Sequence, residues 1–192
     1  DHGITGVGVD LNPPFIAAAR ARAAELGVEP GVRFEEANAA GWVSEHPVAV
    51  ASCCGATWIG GGVEGTLDLL SRSLAPNGVA LVGEPFWREI PPTAEAARAS
   101  AAESADSYST LPELIDRMSR RGWDVVEMVL ADEDSWDRYV AAQWLNIRRF
   151  IDANPHDEIV PQLRSELDSA PARYVEYQRR YLGWGVFALM RR

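Results

Sequence analysis

Short apolar runs alternate with stretches of helical spacing along most of the chain. The runs are β-branched at alternate positions or continuously apolar, which predicts strands over 6–10, 32–36, 48–52, 79–84, 125–130 and 184–190. Between them, apolar residues recur every three or four positions, as in Leu67, Leu70 and Leu74, which predicts helices. Such alternation is typical of an α/β fold, a parallel sheet with helices on both faces.

Two segments interrupt this alternation within what we expect to be one domain over 1–192. Residues 88–109 are rich in Ala, Ser, Glu and Pro and have little apolar periodicity, so we expect a mobile or loosely helical connection. Residues 132–182 carry an aromatic stripe at helical spacing, which predicts a helical insertion before the last strand.

The helical insertion has two interpretations. It could form a lid over a pocket, with Tyr139, Gln143 and Trp144 facing a substrate. Alternatively, it is a helical pair packed on the edge of the domain, or the surface of a homodimer.

Composition narrows the partners and the location. The chain has 192 residues, 47% of them hydrophobic, which suits one substantial core. All 18 basic residues are Arg, against 28 acidic ones, and the net charge of −10 disfavours nucleic acid and anionic membranes as partners.

The two cysteines bear on the cellular location. Cys53 and Cys54 are adjacent, so on a strand they point to opposite faces and cannot form an ordinary disulfide with each other. We therefore expect free thiols and a reducing, cytoplasmic location. No run approaches the roughly 20 apolar residues that cross a bilayer.

Polar or small residues follow the predicted parallel strands, where ligands bind in open α/β sheets. These strand ends carry Asp10, then Asn38, then Cys53-Cys54-Gly55, and then Glu84. An acidic residue after an early strand is suited to accept hydrogen bonds from both hydroxyls of a ribose. The pattern therefore favours an adenosyl-type cofactor.

Three segments carry a family resemblance that covers almost the whole chain. GVGVDLNPPFIAAARARAAELGV, VRFEEANAAGW and LAPNGVALVGEPFW resemble the second, third and fifth strand regions of class I S-adenosylmethionine (SAM)-dependent methyltransferases. SCCGATWIGGG and GEPFWREIPPT resemble more narrowly a group of small-molecule methyltransferases. The resemblance implies a Rossmann-like sheet, SAM as cofactor and methyl transfer to a small-molecule substrate.

The resemblance also implies cofactor-binding roles. Asp10 matches the ribose-binding acid, and Leu11 matches the apolar wall of the adenine pocket. Asn38 stands where many members have an Asp that binds the adenine amino group, and Ala39 would supply a backbone amide. Cys53, Cys54 and Gly55 match the segment whose backbone lines the methionine part of the cofactor.

Candidates for catalysis and substrate binding lie on the same edge. Methyl transfer is an in-line displacement that positioning can accelerate, so no metal site is expected. Glu84 ends a buried strand, where a carboxylate could orient a cation or accept a proton, or simply bind loop amides. Trp58 and Trp87 could form walls for an apolar or cationic substrate, or be ordinary core residues.

One part of the family pattern does not match this sequence. Class I members place a glycine-rich loop after their first strand, and Gly6 and Gly8 belong instead to the second strand. We therefore expect the natural chain to have a further strand between those that end at Asp10 and Ser52, or another copy to supply one. Without it, two rows of backbone donors and acceptors would face a gap.

Two other classes of protein stay open. A nucleotide-sugar or NAD-dependent Rossmann enzyme would share the ribose-binding acid, but the chain has no Tyr-x-x-x-Lys pair because it has no lysine. A non-catalytic methyltransferase-like subunit would bind a partner through the aromatic insertion.

Overall fold

The structure is a computed structural model that describes residues 3–192. Strands and helices alternate through the first two thirds of the described residues, and a helical insertion precedes the last strand. The strands are β1 (Gly6–Asp10), β2 (Val32–Glu36), β3 (Val48–Cys54), β4 (Leu74–Trp87), β5 (Trp123–Leu130) and β6 (Leu182–Arg191). The helices are α1 (Pro13–Glu25), α2 (Val63–Ser71), α3 (Ala94–Ala99), α4 (Leu111–Arg120), α5 (Glu133–Ala153), α6 (Val160–Arg173) and α7 (Arg179–Tyr181).

The strands form two hydrogen-bonded groups. In one, β1 and β2 are parallel, from Gly6 opposite Val32 to Asp10 opposite Glu36. In the other, the order is β3-β4-β6-β5, with β3 and β4 parallel and β6 antiparallel to both of its neighbours. The α/β class and the helical insertion before the last strand are thereby confirmed.

Within residues 3–192, β1 pairs with β2 alone and β3 pairs with β4 alone, so no backbone ladder joins the two groups of strands. The expectation that a further strand belongs in this position stays a prediction. The turns Ala39–Gly41 and Thr57–Gly60, which follow β2 and β3, touch each other. The carboxyl ends of both parallel pairs therefore meet at one edge of the fold.

The main core lies between the second sheet and helices α2 and α4. Side chains at alternate positions of β4 face these helices, as the two-residue period of a strand requires. The fully buried members of this core include Ala80, Val82, Phe187, Leu189, Leu67 and Met118. On the opposite face, Val50 and Val129 are 52% and 62% exposed, so one face of this sheet is covered much better than the other.

One glycine and one asparagine adopt the left-handed conformation at local turns. Gly27 adopts φ +66° just after α1, which is the left-handed conformation expected of a glycine helix stop. Asn77 has φ +62° in the turn Pro76-Asn77-Gly78, which directly precedes the predicted strand 79–84. The structure differs in that β4 starts before this turn, because Leu74 already pairs with Val48 and the turn is an irregularity within the strand.

Residues 88–109, for which the sequence predicts a mobile or loosely helical connection, contain the short helix α3, and the mobility of the segment stays a prediction. Thr93 caps the short helix α3 by accepting a hydrogen bond from the amide of Ala96, at 3.1 Å. Ala97 and Ser100 are completely buried. Small side chains allow this close packing without the periodic large apolar residues by which helices are recognised in a sequence.

The insertion over 132–182 consists of α5, α6, a π-helical turn at Tyr174–Gln178, and α7. Asp137 of α5 accepts hydrogen bonds from the Tyr174 hydroxyl at 2.6 Å and from Arg179 at 3.1 Å. These contacts join the start of the insertion to its end.

Of the helices in residues 3–192, none combines the length and the apolar character that a membrane-spanning segment needs.

Candidate functional site

The candidate site lies where the carboxyl ends of β1, β2, β3 and β4 meet. Asp10 ends β1 and is half-buried. Its Oδ1 accepts a 2.7 Å hydrogen bond from the amide of Asn12, which fixes the carboxylate at the strand end. The neighbouring Leu11 is 68% exposed, and Phe15 is also exposed. An oriented carboxylate thus stands next to uncovered apolar side chains.

Asn38 and Ala39 lie beside Asp10 at the end of β2. The amide of Ala37 donates to the carbonyl oxygen of Asp10 at 3.0 Å, which ties the two strand ends together. Asn38 Oδ1 accepts from the amide of Ala40 at 3.0 Å and so caps the following turn. An amide oxygen has two lone pairs, so this cap leaves Asn38 able to accept a second hydrogen bond.

The two cysteines follow the strand period that the sequence indicated. Cys53 is buried and Cys54 is exposed, and both are free thiols. Burial raises the pKa of the Cys53 thiol, which favours its neutral form. Gly55 follows them with φ +75°, and its amide donates to the carbonyl oxygen of Gly83 at 2.9 Å. The left-handed conformation at this turn suits glycine.

Glu84 lies on the face of β4 that packs towards α2 and α4. Its Oε2 accepts a 2.7 Å hydrogen bond from the hydroxyl of Thr57, a residue that sequence reasoning missed. Burial raises the pKa of Glu84, while the Thr57 hydrogen bond and the charge of Arg117 act in the opposite direction. A carboxyl group with a raised pKa can hold or accept a proton closer to neutral pH.

Arg117 sets the charge environment on this side of the site. It donates two hydrogen bonds of 2.6 Å to the carboxylate of Glu64 and a third, of 2.9 Å, to Ser109 Oγ. The pair lowers the pKa of Glu64, mainly through the hydrogen bond. Arg117 thus forms its ion pair with Glu64, and it acts on Glu84 only through the electrostatic attraction of a nearby positive charge.

The two tryptophans proposed as substrate walls occupy different environments. Trp58 is 78% exposed. Trp87 is 1% exposed, donates its indole N–H to the carbonyl oxygen of Ala105 at 2.7 Å, and packs edge-on against Tyr108. This position of Trp87 agrees with the alternative of ordinary core packing.

The inward residues predicted on the insertion are spread along α5. Tyr139 stacks on Trp136, with ring centroids 5.4 Å apart. Trp144, further along the helix, packs edge-on against Tyr174 of the insertion itself, and Gln143 is exposed. Only the first turns of α5 therefore approach the strand ends.

Trp136 and Trp184 are the aromatic residues that the structure adds to the site. Trp184 lies in β6 opposite Pro85, on the other face of the sheet from Glu84. Its ring packs against Gly83 and Gly55, since a Cβ at either glycine would stand 2.8 or 3.2 Å from the indole. Trp136 stacks on Trp184 at a centroid distance of 6.5 Å. No sequence pattern indicates this contact, because it depends on the pairing of β6 with β4.

Among residues 3–192, no three or more His, Cys, Asp or Glu side chains are grouped so that they could hold a metal ion.

Comparison with known proteins identifies the class. The chain is 55% identical to a SAM-dependent methyltransferase from Geobacter sulfurreducens crystallised with S-adenosyl-L-homocysteine (SAH), with a TM-score of 0.95 over 100% of this chain and 77% of that one. A SAM-dependent methyltransferase from Thiobacillus denitrificans, also in complex with SAH, is 53% identical, with a TM-score of 0.94 and the same coverage of 100% and 77%. The fold is that of a class I methyltransferase.

The chain belongs to the SAM-dependent methyltransferases, an enzyme family. It is also 51% identical, over all of its 192 residues and 77% of the relative, to the uncharacterized protein YjhP of Escherichia coli (strain K12). No protein-family model matches the chain. Of the three classes of protein that the sequence left open, family membership selects the methyltransferase.

Proposed function

We propose that this protein transfers the methyl group of SAM to a small-molecule acceptor by in-line displacement. The observation that carries the proposal is the Asp10 carboxylate, which is held at the end of β1 by the amide of Asn12 beside the exposed Leu11. A carboxylate in this position can accept hydrogen bonds from both ribose hydroxyls of an adenosyl group. The SAH complexes of the two bacterial relatives support the same cofactor for this chain.

The residues at the other strand ends fit the remaining parts of this cofactor. Leu11 offers an apolar surface for the adenine ring, and Asn38 and Ala39 offer an accepting oxygen and a backbone amide near it. Cys54 and Gly55 are exposed at the end of β3, where their backbone would line the methionine portion. The site is therefore polar where the ribose would lie and apolar where the adenine ring would lie, as adenosine requires.

When bound, SAM supplies a methyl group on a sulfonium, whose positive charge is lost on transfer. The protein would contribute mainly by positioning, since in-line displacement gains most of its acceleration from the alignment of the two reactants. Glu84 would orient the acceptor or take its proton, and burial, which raises the pKa of Glu84, makes proton uptake at this carboxylate more favourable. Thr57 would hold the carboxylate in place.

The proposal includes the kind of partner and the location. A net charge of −10 is unsuited to a polyanionic substrate, which favours a small molecule over nucleic acid or an anionic membrane. The first turns of α5 would cover the acceptor, as the lid interpretation requires; a dimer surface on the insertion is the alternative. A reducing, cytoplasmic location is supported by the two free thiols.

Calorimetric titration of the purified protein with SAH and, separately, with NAD⁺ tests the proposed function. We expect saturable binding of SAH with one site per chain and no measurable binding of NAD⁺. Binding of NAD⁺ in preference to SAH, or binding of neither ligand, would overturn the proposal.

A further inference from the structure

One arginine acts on two carboxylates on the α2 and α4 side of the sheet. Arg117 of α4 donates from Nε and Nη2 to the two carboxylate oxygens of Glu64 in α2, at 2.6 Å each. Its third hydrogen bond, from Nη1, reaches Ser109 Oγ at 2.9 Å. The second carboxylate, that of Glu84, forms no ion pair with any residue within 3–192. The cation is therefore paired with one carboxylate and not with the other.

The guanidinium group of Arg117 contacts the segments on both sides of Glu84. The amide of Gly62 donates to the carbonyl oxygen of Thr57 at 3.0 Å, and the hydroxyl of Thr57 binds Glu84. A Cβ atom on Gly62 would lie 3.8 Å from Nη2 of Arg117. On the other side, the carbonyl oxygen of Ser109 accepts at 2.9 Å from a backbone amide of β4, three residues after Glu84. These contacts place the cation beside the carboxylate with which it does not pair.

One carboxylate oxygen of Glu84 is left available. Oε2 accepts from the hydroxyl of Thr57, and Oε1 accepts from no residue within 3–192. Glu84 is half-buried, but Oε1 is not among the enclosed side-chain atoms that lack a partner, so this oxygen reaches solvent. A guanidinium has five N–H donors, and Arg117 uses three of them. The remaining two could serve Oε1 if Glu64 did not fix the group.

The other titratable groups that act on Glu84 carry no charge near neutral pH. Tyr108 lies in the connection before α4, and Cys53 lies in β3, and burial raises the pKa of both. On the neighbouring strand β6, Gly185 lies opposite Glu84 and has no side chain to titrate. The charged groups that act on Glu84 are therefore Glu64 of α2 and Arg117 of α4.

We propose that Glu64 is a positioning residue, which binds Arg117 and thereby keeps Oε1 of Glu84 free to contact the acceptor. This inference rests on the proposed function, in which Glu84 orients the acceptor or takes its proton. The two parallel hydrogen bonds between a guanidinium and a carboxylate fix the orientation of both groups, which suits Glu64 to this role. Without Glu64, the cation turns to the remaining carboxylate, and the acceptor meets an ion pair in place of a free oxygen.

The pKa of Glu84, measured by ¹³C NMR titration of glutamate-labelled protein, tests this inference, with Glu84→Gln to assign the signal. Glu64→Met keeps a side chain of similar length but removes both accepting oxygens. We expect it to lower the pKa of Glu84, because Arg117 then binds this second carboxylate and favours its charged form. Glu64→Gln keeps one accepting oxygen and should lower the pKa of Glu84 less.

A double-mutant cycle separates this effect from simple repulsion. The charge of Glu64 also repels that of Glu84, so its removal lowers the pKa of Glu84 to some extent by itself. Glu64→Met in an Arg117→Met background measures that repulsion alone. We expect a larger decrease when Arg117 is present. An equal decrease with and without Arg117, or no decrease in Glu64→Met, would overturn the inference.

Asp68→Leu is the matched control, because it breaks a second ion pair between the same two helices. Asp68 follows Glu64 by one turn in α2. Its partner Arg121 directly follows the last turn of α4, four residues after Arg117, and is not among the charges that act on Glu84. The pKa of Glu84 should stay at its wild-type value. A decrease as large as that in Glu64→Met would contradict the inference.

The titration needs no cofactor, so it is independent of the calorimetric test of SAH binding. A protein that binds SAH but shows no decrease that depends on Arg117 refutes only the role of Glu64. A protein that shows this decrease but binds no SAH refutes only the proposed function.

Discussion

The hydroxyl of Thr57, in the turn that follows β3, donates a hydrogen bond of 2.7 Å to the carboxylate of Glu84 in the neighbouring parallel strand β4. Thr57 is only 8% exposed, and its carbonyl oxygen accepts from the hydroxyl of Thr66 at 2.8 Å. The turn that carries the donor is therefore fixed by the first turn of α2. Hydrogen bonding to a carboxylate favours its charged form, so Thr57 partly offsets the effect of burial on Glu84.

Replacing Thr57 changes the pKa of Glu84 in a defined direction. Thr57→Val removes the donor but keeps the shape of the side chain, so the pKa of Glu84 should rise further above its ordinary value. Thr57→Ser keeps a hydroxyl and should restore most of the wild-type behaviour. A ¹³C NMR titration of glutamate-labelled protein, with Glu84→Gln to assign the signal, measures this. An identical titration in Thr57→Val and wild type would show that the hydrogen bond does not form in solution.

The raised pKa of Glu84 predicts how stability depends on pH. The folded protein keeps this proton to higher pH than the unfolded chain does, whose carboxyl titrates near the ordinary value of 4.5. The free energy of unfolding of wild type, relative to Glu84→Gln, should therefore fall as the pH rises from that value through the folded pKa, and then become constant. Urea unfolding at a series of pH values measures the difference.

Glu29→Gln is the control for this experiment, because it removes an equal charge from an exposed position. Its difference from wild type should lack the decline seen for Glu84→Gln. A difference between wild type and Glu84→Gln that stays flat, or that grows with rising pH, would contradict the burial of this carboxyl group.

Gly65 offers a case in which helix propensity and packing predict opposite signs. Replacing a glycine inside a helix by alanine ordinarily stabilises a protein by about 0.5–1 kcal/mol. At Gly65 in α2, however, the new Cβ would lie 1.9 Å from the carbonyl oxygen of Gly60, which must move. Gly65→Ala should therefore lower the free energy of unfolding by about 1–3 kcal/mol, as measured by urea denaturation.

The control for Gly65→Ala is Gly41→Ala, where a Cβ would meet no atom within 4 Å. It should change stability by less than about 0.5 kcal/mol. A stabilised Gly65→Ala variant would show that α2 and the turn at Thr57–Gly60 do not pack as closely as the structure has them.

Local patterns allowed much of the fold to be predicted from the sequence. The bounds of β1 and β2 match the predicted runs, because each is a short apolar alternation between clear helix and turn signals. Gly27, the glycine that follows α1, adopts the left-handed conformation that is typical of a helix stop. β4 is longer than predicted, because its pairing with β3 continues past a turn that a local pattern marks as the strand start.

The site was predictable only where a residue follows its own strand. Asp10 stands at the end of β1, so its position could be inferred from sequence order. Glu84 was expected to end its strand, but β4 continues to Trp87 because it stays paired with β6. The roles of both residues stay predictions. The Thr57–Glu84 hydrogen bond joins residues 27 positions apart. The contact between Trp184 and Gly83 depends on the register of β6 against β4. Such long-range pairings leave no periodic signal in a single sequence.

The binding of SAH by Asp10→Asn tests the central claim most directly. A hydrogen bond to a charged group contributes about 1.5–3 kcal/mol, so removing the charge should weaken SAH by roughly ten- to a hundredfold in calorimetry. Asp124→Asn, at the amino end of β5, should bind SAH like wild type. If Asp10→Asn binds SAH as tightly as wild type does, the carboxylate does not hold the ribose and the assignment of the site is wrong.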